Sequence, residues 1–160
     1  MQRIKAVALD VDGVLTDGSF TWGPGGEEYK SFCFLDVMGI SLGRKSGLVF
    51  ALISGEDTPL IDRYGGKMGI VDLYKGCKDK AAALRDFAGK HDLDLAEICF
   101  MGDDVNDVPA LRLAGLPAVP ATAHAAALRE AKFVATAGGG RGAVREVVDA
   151  ILAAGSGRAE

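Results

Sequence analysis

The segment IKAVALDVDGVLTDG, residues 4–18, decides the fold. Its opening run is apolar and rich in β-branched residues, and it ends at Asp10, the signature of a buried strand. A polar triplet, Asp10-Val11-Asp12, then stands where that strand stops. The same figure recurs twice: residues 48–53 (LVFALI) end at Ser54-Gly55-Glu56, and residues 98–101 (ICFM) run into Gly102-Asp103-Asp104. Further strands are predicted at 70–74, around Ala118-Val119 and at 133–135. Helices fall between them. One spans 36–45, capped by Asp36 and stopped by Gly47, and Thr58-Pro59 opens another that reaches about residue 68. Others cover 79–90, start at Val108-Pro109, and occupy an alanine-rich stretch at about 123–131 and the segment 143–153, with Gly138-Gly139-Gly140 as a flexible link before the last. Strands alternating with helices predict an α/β fold, a doubly wound parallel sheet, whose ligands bind beyond the carboxyl ends of the strands. Residues 18–32 mix Phe20, Trp22, Tyr29 and Phe32 with the glycines of GPGG, which predicts an inserted β-hairpin with its turn near Gly25-Gly26.

A chain of 160 residues fits one domain, here 1–154 with a flexible tail at 155–160. Hydrophobic residues at 49% and charged residues at 25% are the balance of a globular protein with an ordinary core. The net charge of −4 lacks the basic footprint that nucleic acid requires. No run approaches the ~20 apolar residues of a membrane-spanning helix, and no signal peptide opens the chain, so a cytoplasmic location is expected. Cys33, Cys77 and Cys99 are odd in number and form no CxxC pair, so they read as reduced packing residues. His91 and His124 have no pattern of metal-ligand partners and read as surface residues.

The three polar strand ends carry a specific chemistry. Asp10 and Asp12, two residues apart, can divide the work of phosphoryl transfer: one attacks phosphorus and the other handles the proton. Two carboxylates repel each other and the phosphate, and a hard cation removes both problems. Mg²⁺ suits one or two carboxylates together with waters and a substrate phosphate, and Asp103 is the natural second carboxylate ligand. Ser54 and the Gly55 N–H can hold phosphoryl oxygens, and Lys80 can neutralise phosphate and nucleophile together. Asp107 is placed to hold Lys80. Gly13 permits a tight turn beside the phosphate, with Thr16 and Asp17 supporting the loop.

DVDGVLTDG, ISG, the lysine of KDK and GDDVND resemble, in order, the four motifs of the haloacid dehalogenase superfamily, and the resemblance spans residues 5–146. It implies a magnesium-dependent phosphatase in which Asp10 is the nucleophile and Asp12 the general acid/base. It also implies that Ser54 and Lys80 complete the catalytic set, and that Asp10, the Asp12 backbone carbonyl and Asp103 hold Mg²⁺. Neither residues 11–53 nor residues 55–79 leave room for a cap domain, so a homo-oligomer is expected to shield the site. KSFCFLDVMGI, GDDVNDVPAL and GGGRGAVRE resemble the capless phosphatases of 3-deoxy-2-keto sugar acids, which act on octulosonate 8-phosphate or nonulosonate 9-phosphate. That family implies a homotetramer with active sites near subunit interfaces, and Arg141 and Arg145 in substrate contact or assembly.

Two positions depart from the octulosonate pattern. ISGE places Glu56 where those enzymes usually carry arginine; Glu56 with Lys67 looks more like the nonulosonate phosphatases, making both substrate-contact candidates beside Gly55. Val37 stands where glycine is common, and nothing in the sequence accounts for it. Competing readings are a signalling receiver domain, which the motif order fits poorly, a non-catalytic oligomerisation module of sugar-nucleotide synthesis, and a phosphatase of broad or macromolecular specificity.

Overall fold

A computed structural model describes residues 3–156. Its main sheet has six strands: β1 (Ala6–Leu9), β4 (Val49–Ile53), β5 (Asp72–Tyr74), β6 (Ile98–Met101), β7 (Leu116–Val119) and β8 (Phe133–Val134). The order is β5-β4-β1-β6-β7-β8, and every pairing is parallel. The chain thus builds one half of the sheet outward from β1, returns, and builds the other half. The inserted hairpin pairs β2 (Thr21–Trp22) with β3 (Glu28–Tyr29). Its turn closes with Gly23 N–H donating to Glu27 O at 2.8 Å, and Gly26 lies at φ +85°.

Alternation along the strands divides the core. Val7 and Leu9 of β1 face one side, with Phe50, Leu52, Cys99 and Met101, under α1 (Phe34–Lys45), α2 (Pro59–Met68) and α6 (Ala143–Ser156). Ala6 and Ala8 face the other, with Ala51, Ile53, Ile98 and Phe100, under α3 (Lys80–Lys90), α4 (Val108–Leu113) and α5 (Ala125–Leu128). Helices therefore cover both faces, the doubly wound arrangement. Each fully buried Leu, Ile or Phe adds roughly 1.5–3 kcal/mol, so this division carries most of the stabilisation. Two elements depart from expectation. The alanine-rich helix is a single turn, α5, entered through His124, whose Nδ1 accepts from Ala126 N at 3.1 Å. The last helix continues through Gly155 and Ser156, residues assigned above to the tail; residues 157–160 lie outside the described ones.

Asp36 also departs from its expected part. It does not cap α1, which starts two residues earlier with Cys33 at the N-cap, but sits fully buried inside that helix. Its Oδ1 accepts from Arg145 N at 3.0 Å, with the Gly142 and Val144 N–H groups near enough to favour the charge, while its Oδ2 is buried without a hydrogen-bond partner among the described residues. α1 thus supplies the cap of α6, and Gly39 lets the two helices meet closely: a Cβ there would lie 3.0 Å from Arg145 Cα. Burial raises the Asp36 pKa, against the lowering effect of those N–H groups. A raised folded value means that the stability it contributes is present at low pH and fades as pH rises through that value. Asp36→Asn keeps an acceptor and removes the charge, so it is expected to fold with little loss and less pH dependence. Asp36→Ala is expected to cost about 1–2 kcal/mol, the loss of a cap, read by denaturant melts at several pH values.

Candidate active site

The parallel register pairs Leu9 with both Leu52 and Met101, so the polar triplets emerge side by side at one edge of the sheet. Asp10 N donates to Met101 O at 2.9 Å, and Asp10 Oδ1 accepts from Val11 N at 2.8 Å. The following loop folds back on Val11, whose carbonyl accepts from Val14, Leu15 and Thr16 N–H groups. The buried Thr16 Oγ1 accepts from Gly13 N at 3.2 Å and Gly18 N at 3.1 Å, which fixes both ends of the turn. Gly13 has φ +85°, and a Cβ there would fall 1.9 Å from Asp103 Oδ2, so any other residue would be strained and would displace the Asp103 carboxylate. The Gly138-Gly139-Gly140 run is a buttress rather than a flexible link. A Cβ on Gly139 would lie 1.9 Å from Gly13 O, and Gly140 N donates to Val14 O at 2.9 Å. Only bare backbone passes so close to the loop that follows Asp10.

Lys80, capped into α3 by Asp79, is the hub of the buried charges. Its Nζ lies 2.9 Å from Asp10 Oδ1 and 2.7 Å from Asp107 Oδ1, with its side chain 2% exposed. The other Asp107 oxygen, Oδ2, accepts from Asp103 N at 2.8 Å and Asp104 N at 3.2 Å. Asp107 thus aligns the lysine and the Asp103 backbone together, as the sequence placed it. Asp10, Asp103 and Asp107 each offer a carboxylate oxygen within 4.8 Å of the others. Burial raises the Asp10 pKa well above the usual carboxylate range; Asp107 adds to this and Lys80 opposes it. Burial, with Asp107 and Asp104 nearby, pushes Asp103 up to about 6. Burial works against the Lys80 ammonium, yet Asp10 and Asp107 hold its pKa above the ordinary value.

Ser54 is buried at the end of β4, fixed by its N–H to Tyr74 O at 2.8 Å. Its Oγ accepts from Glu56 N at 3.1 Å, an arrangement that leaves the hydroxyl proton to donate. Gly55 and Glu56 are exposed at the same rim. The Asp12 side chain turns to Lys30, with Oδ1 2.8 Å from Nζ. Lys30 escaped the sequence reading because nothing local marks a lysine after a hairpin strand as a partner for Asp12. Lys67, on the last turn of α2, holds its ammonium 5.9 Å from the Phe34 ring centroid. Arg145 pairs with Asp149 at 2.8 Å, and Arg141 is exposed beside Asp17, whose pKa is lowered chiefly by hydrogen bonds from Ser19. Within this chain neither Lys67, Arg141 nor Arg145 pairs with the carboxylate cluster.

Residues 50–144, more than half the chain, match the family of haloacid dehalogenase-like hydrolases. The chain belongs to that family. It is similar to 3-deoxy-D-manno-octulosonate 8-phosphate phosphatase of Salmonella typhi, 38% identical over 153 residues, covering 96% of this chain and 81% of the relative. The structure of the Moraxella catarrhalis phosphatase of the same name, in complex with magnesium, phosphate and KDO, superposes with a TM-score of 0.92. That pair shares 34% identity across 94% of this chain and 87% of the other. The cobalt-bound enzyme of Haemophilus influenzae gives a TM-score of 0.93 at 34% identity, covering 96% and 90%.

Like those capless sugar-acid phosphatases, this haloacid dehalogenase-like chain shows no separate cap domain among its described residues: only the hairpin and α1 lie between β1 and β4. The cluster also fits a divalent cation on charge grounds. Three carboxylates (Asp10, Asp103, Asp107) against one ammonium (Lys80) leave a formal surplus of two negative charges in a buried place. Both oxygens of Asp107 are engaged with Lys80 and backbone N–H groups. Asp10 and Asp103 are therefore the carboxylates with ligand capacity to spare.

Proposed function

We propose that this protein hydrolyses the phosphate monoester of a 3-deoxy-2-keto sugar acid, with Mg²⁺ held by Asp10, Asp103 and the backbone carbonyl of Asp12. The observation that carries this reading is the buried Asp10–Lys80–Asp107–Asp103 network, in a chain that aligns along 96% of its length with a named octulosonate 8-phosphate phosphatase. Asp10 attacks phosphorus to form an aspartyl-phosphate, while the Ser54 hydroxyl, the Gly55 N–H and Lys80 hold the phosphoryl oxygens. Asp12 gives a proton to the leaving sugar oxygen, then takes one from the water that cleaves the intermediate. Bound Mg²⁺ supplies charge neutralisation between carboxylates and phosphate and holds them in register.

Metal binding and protons compete at Asp103. With its pKa raised to about 6, the metal-free folded protein keeps a proton that the unfolded chain has released, so its stability falls as pH rises through that value. Mg²⁺ takes the proton's place. The Mg²⁺-induced rise in melting temperature is expected to be small well below that pH and to grow as pH passes through it, and Asp103→Asn is expected to abolish it. A shift independent of pH and of Asp103 would remove Asp103 from the metal site.

Two sugar acids compete as substrate. The relatives favour octulosonate 8-phosphate; Glu56, exposed at the site rim, favours a nonulosonate 9-phosphate, whose hydroxyls it can accept from, whereas Lys67 could join it only from a neighbouring subunit. Phosphate release from both, beside an aryl phosphate, separates them. A preference of at least ~10-fold for either sugar acid supports the class, and the identity of the winner decides the role of Glu56. Equal turnover of all three esters would make this a broad phosphatase. A folded, metal-loaded protein inactive on every ester would leave the oligomerisation module, which the intact Asp12 and Asp103 oppose.

The same reading includes a homotetramer. Phe20, Trp22 and Tyr29 of the hairpin and Phe34, Leu35 and Met38 of α1 are large, apolar and exposed in the single chain, surface that association would cover. Arg141 and Arg145 would then serve the site of a neighbour. Light scattering on Trp22→Lys tests this, with dissociation to smaller species expected. The three cysteines, all free, accord with work in the cytoplasm.

A further inference from the structure

We infer that Lys30 is a positioning residue: by its ion pair with Asp12, it ties the inserted hairpin to the proton-transfer step. Lys30 follows directly on β3, and its Nζ meets Asp12 Oδ1 at 2.8 Å. The Lys30 side chain is only 4% exposed, whereas Asp12 is 33% exposed. A lysine so desolvated must spend its charge on a partner. Glu28 Oε2 lies farther off, at 3.9 Å, and Glu28 itself accepts from Trp22 Nε1 at 3.1 Å. Trp22, Glu28, Lys30 and Asp12 thus form a chain from the hairpin into the nucleophile loop. Lys80 cannot do this for Asp12, since it is taken by Asp10 and Asp107.

The inference rests on the reading of Asp12 as general acid/base. Misplacing a group by an ångström weakens proton transfer far more than it weakens substrate binding. Lys30 touches Asp12 rather than the phosphate-binding groups, so its loss lowers kcat and spares KM. Leaving groups separate this role from a structural one. A sugar alkoxide needs the proton from Asp12 to depart, whereas a nitrophenolate leaves without it. Both esters then need Asp12 again, as base, to activate the water that cleaves the aspartyl-phosphate.

The test compares wild type, Lys30→Met, Lys30→Arg, Asp12→Asn, Asp10→Asn and the Lys30→Met/Asp12→Asn double variant, each with Mg²⁺. Substrates are a sugar-acid phosphate and nitrophenyl phosphate, followed in the steady state and by rapid mixing. Lys30→Met is expected to lose roughly 10- to 10²-fold in kcat on the sugar ester with KM little changed. On nitrophenyl phosphate it should keep a fast burst of nitrophenol, close to one per active site, before a slowed steady state. Lys30→Arg, which retains the charge, should restore most of kcat, and the double variant should be no slower than Asp12→Asn alone. Additive losses in the double variant, a wild-type kcat for Lys30→Met, or loss of the nitrophenol burst together with turnover would each overturn the inference. An active Asp10→Asn would instead overturn the reading of the site on which it rests.

Discussion

Asp10→Asn is expected to fold as the wild type does and to lose roughly 10³- to 10⁶-fold in kcat, the cost of removing a nucleophile. The two side chains have the same shape, and the amide oxygen can still accept from Val11 N and Lys80 Nζ, which lie 2.8 and 2.9 Å from the carboxylate Oδ1. Under the proposed mechanism, the attacking carboxylate oxygen and one metal ligand are lost together. Burial and Asp107 already make the ionised form of Asp10 costly in the metal-free protein, with Lys80 only partly offsetting them. Deleting that charge is therefore expected to leave metal-free stability unchanged or higher. Inactivity and undiminished stability appear together only if the carboxylate is kept for chemistry. Phosphate release and a thermal melt on the same sample check both halves.

Lys80→Met carries the largest expected effect on stability. Removing one partner from a buried ion pair leaves the other charge uncompensated, at a cost of about 3–5 kcal/mol. Here two partners are left, Asp10 and Asp107, both almost without exposure. Asp107 also holds the Asp103 and Asp104 N–H groups, so the loss reaches the end of β6 that carries the proposed metal ligand. Turnover is expected to fall by roughly 10³-fold, since the proposed electrostatic contact to the phosphoryl group goes with the lysine. Mg²⁺ should recover part of the stability, because it supplies positive charge to the same carboxylates. Denaturant midpoints with and without Mg²⁺ measure this. A variant as stable as wild type in the absence of metal would mean that Lys80 is not the compensating charge of the cluster.

The sheet and its working edge were legible because their signals are local. An apolar run that stops at Asp10, Ser54 or Gly102-Asp103 announces a buried strand and its polar end without reference to the rest of the chain. Parallel register then brings those ends together. The contacts that escaped are those whose partner lies far along the chain. Asp36 looks like a local cap in sequence, but it caps a helix 109 residues away. Three glycines look like slack until Gly13 is seen against Gly139, where backbone must touch backbone. Lys30 is one of many lysines until the hairpin folds back over Asp12. The short α5 is the opposite case, where alanine propensity predicted more helix than packing under α4 uses. Lys67 and Arg145 illustrate a further limit: in the single chain their charges meet Phe34 and Asp149, so any part at the site depends on an assembly that one sequence does not display.

Trapping the covalent intermediate tests most directly whether Asp10 becomes phosphorylated. Acid-quenched protein taken from turnover with a sugar-acid phosphate and Mg²⁺ would be treated with borohydride, which reduces an aspartyl-phosphate to homoserine, and then read by peptide mass spectrometry. Homoserine at position 10, present with substrate and metal and missing when either is left out, is the predicted result. An active enzyme with no homoserine at that position, or with it at another aspartate, would contradict the assignment of the nucleophile.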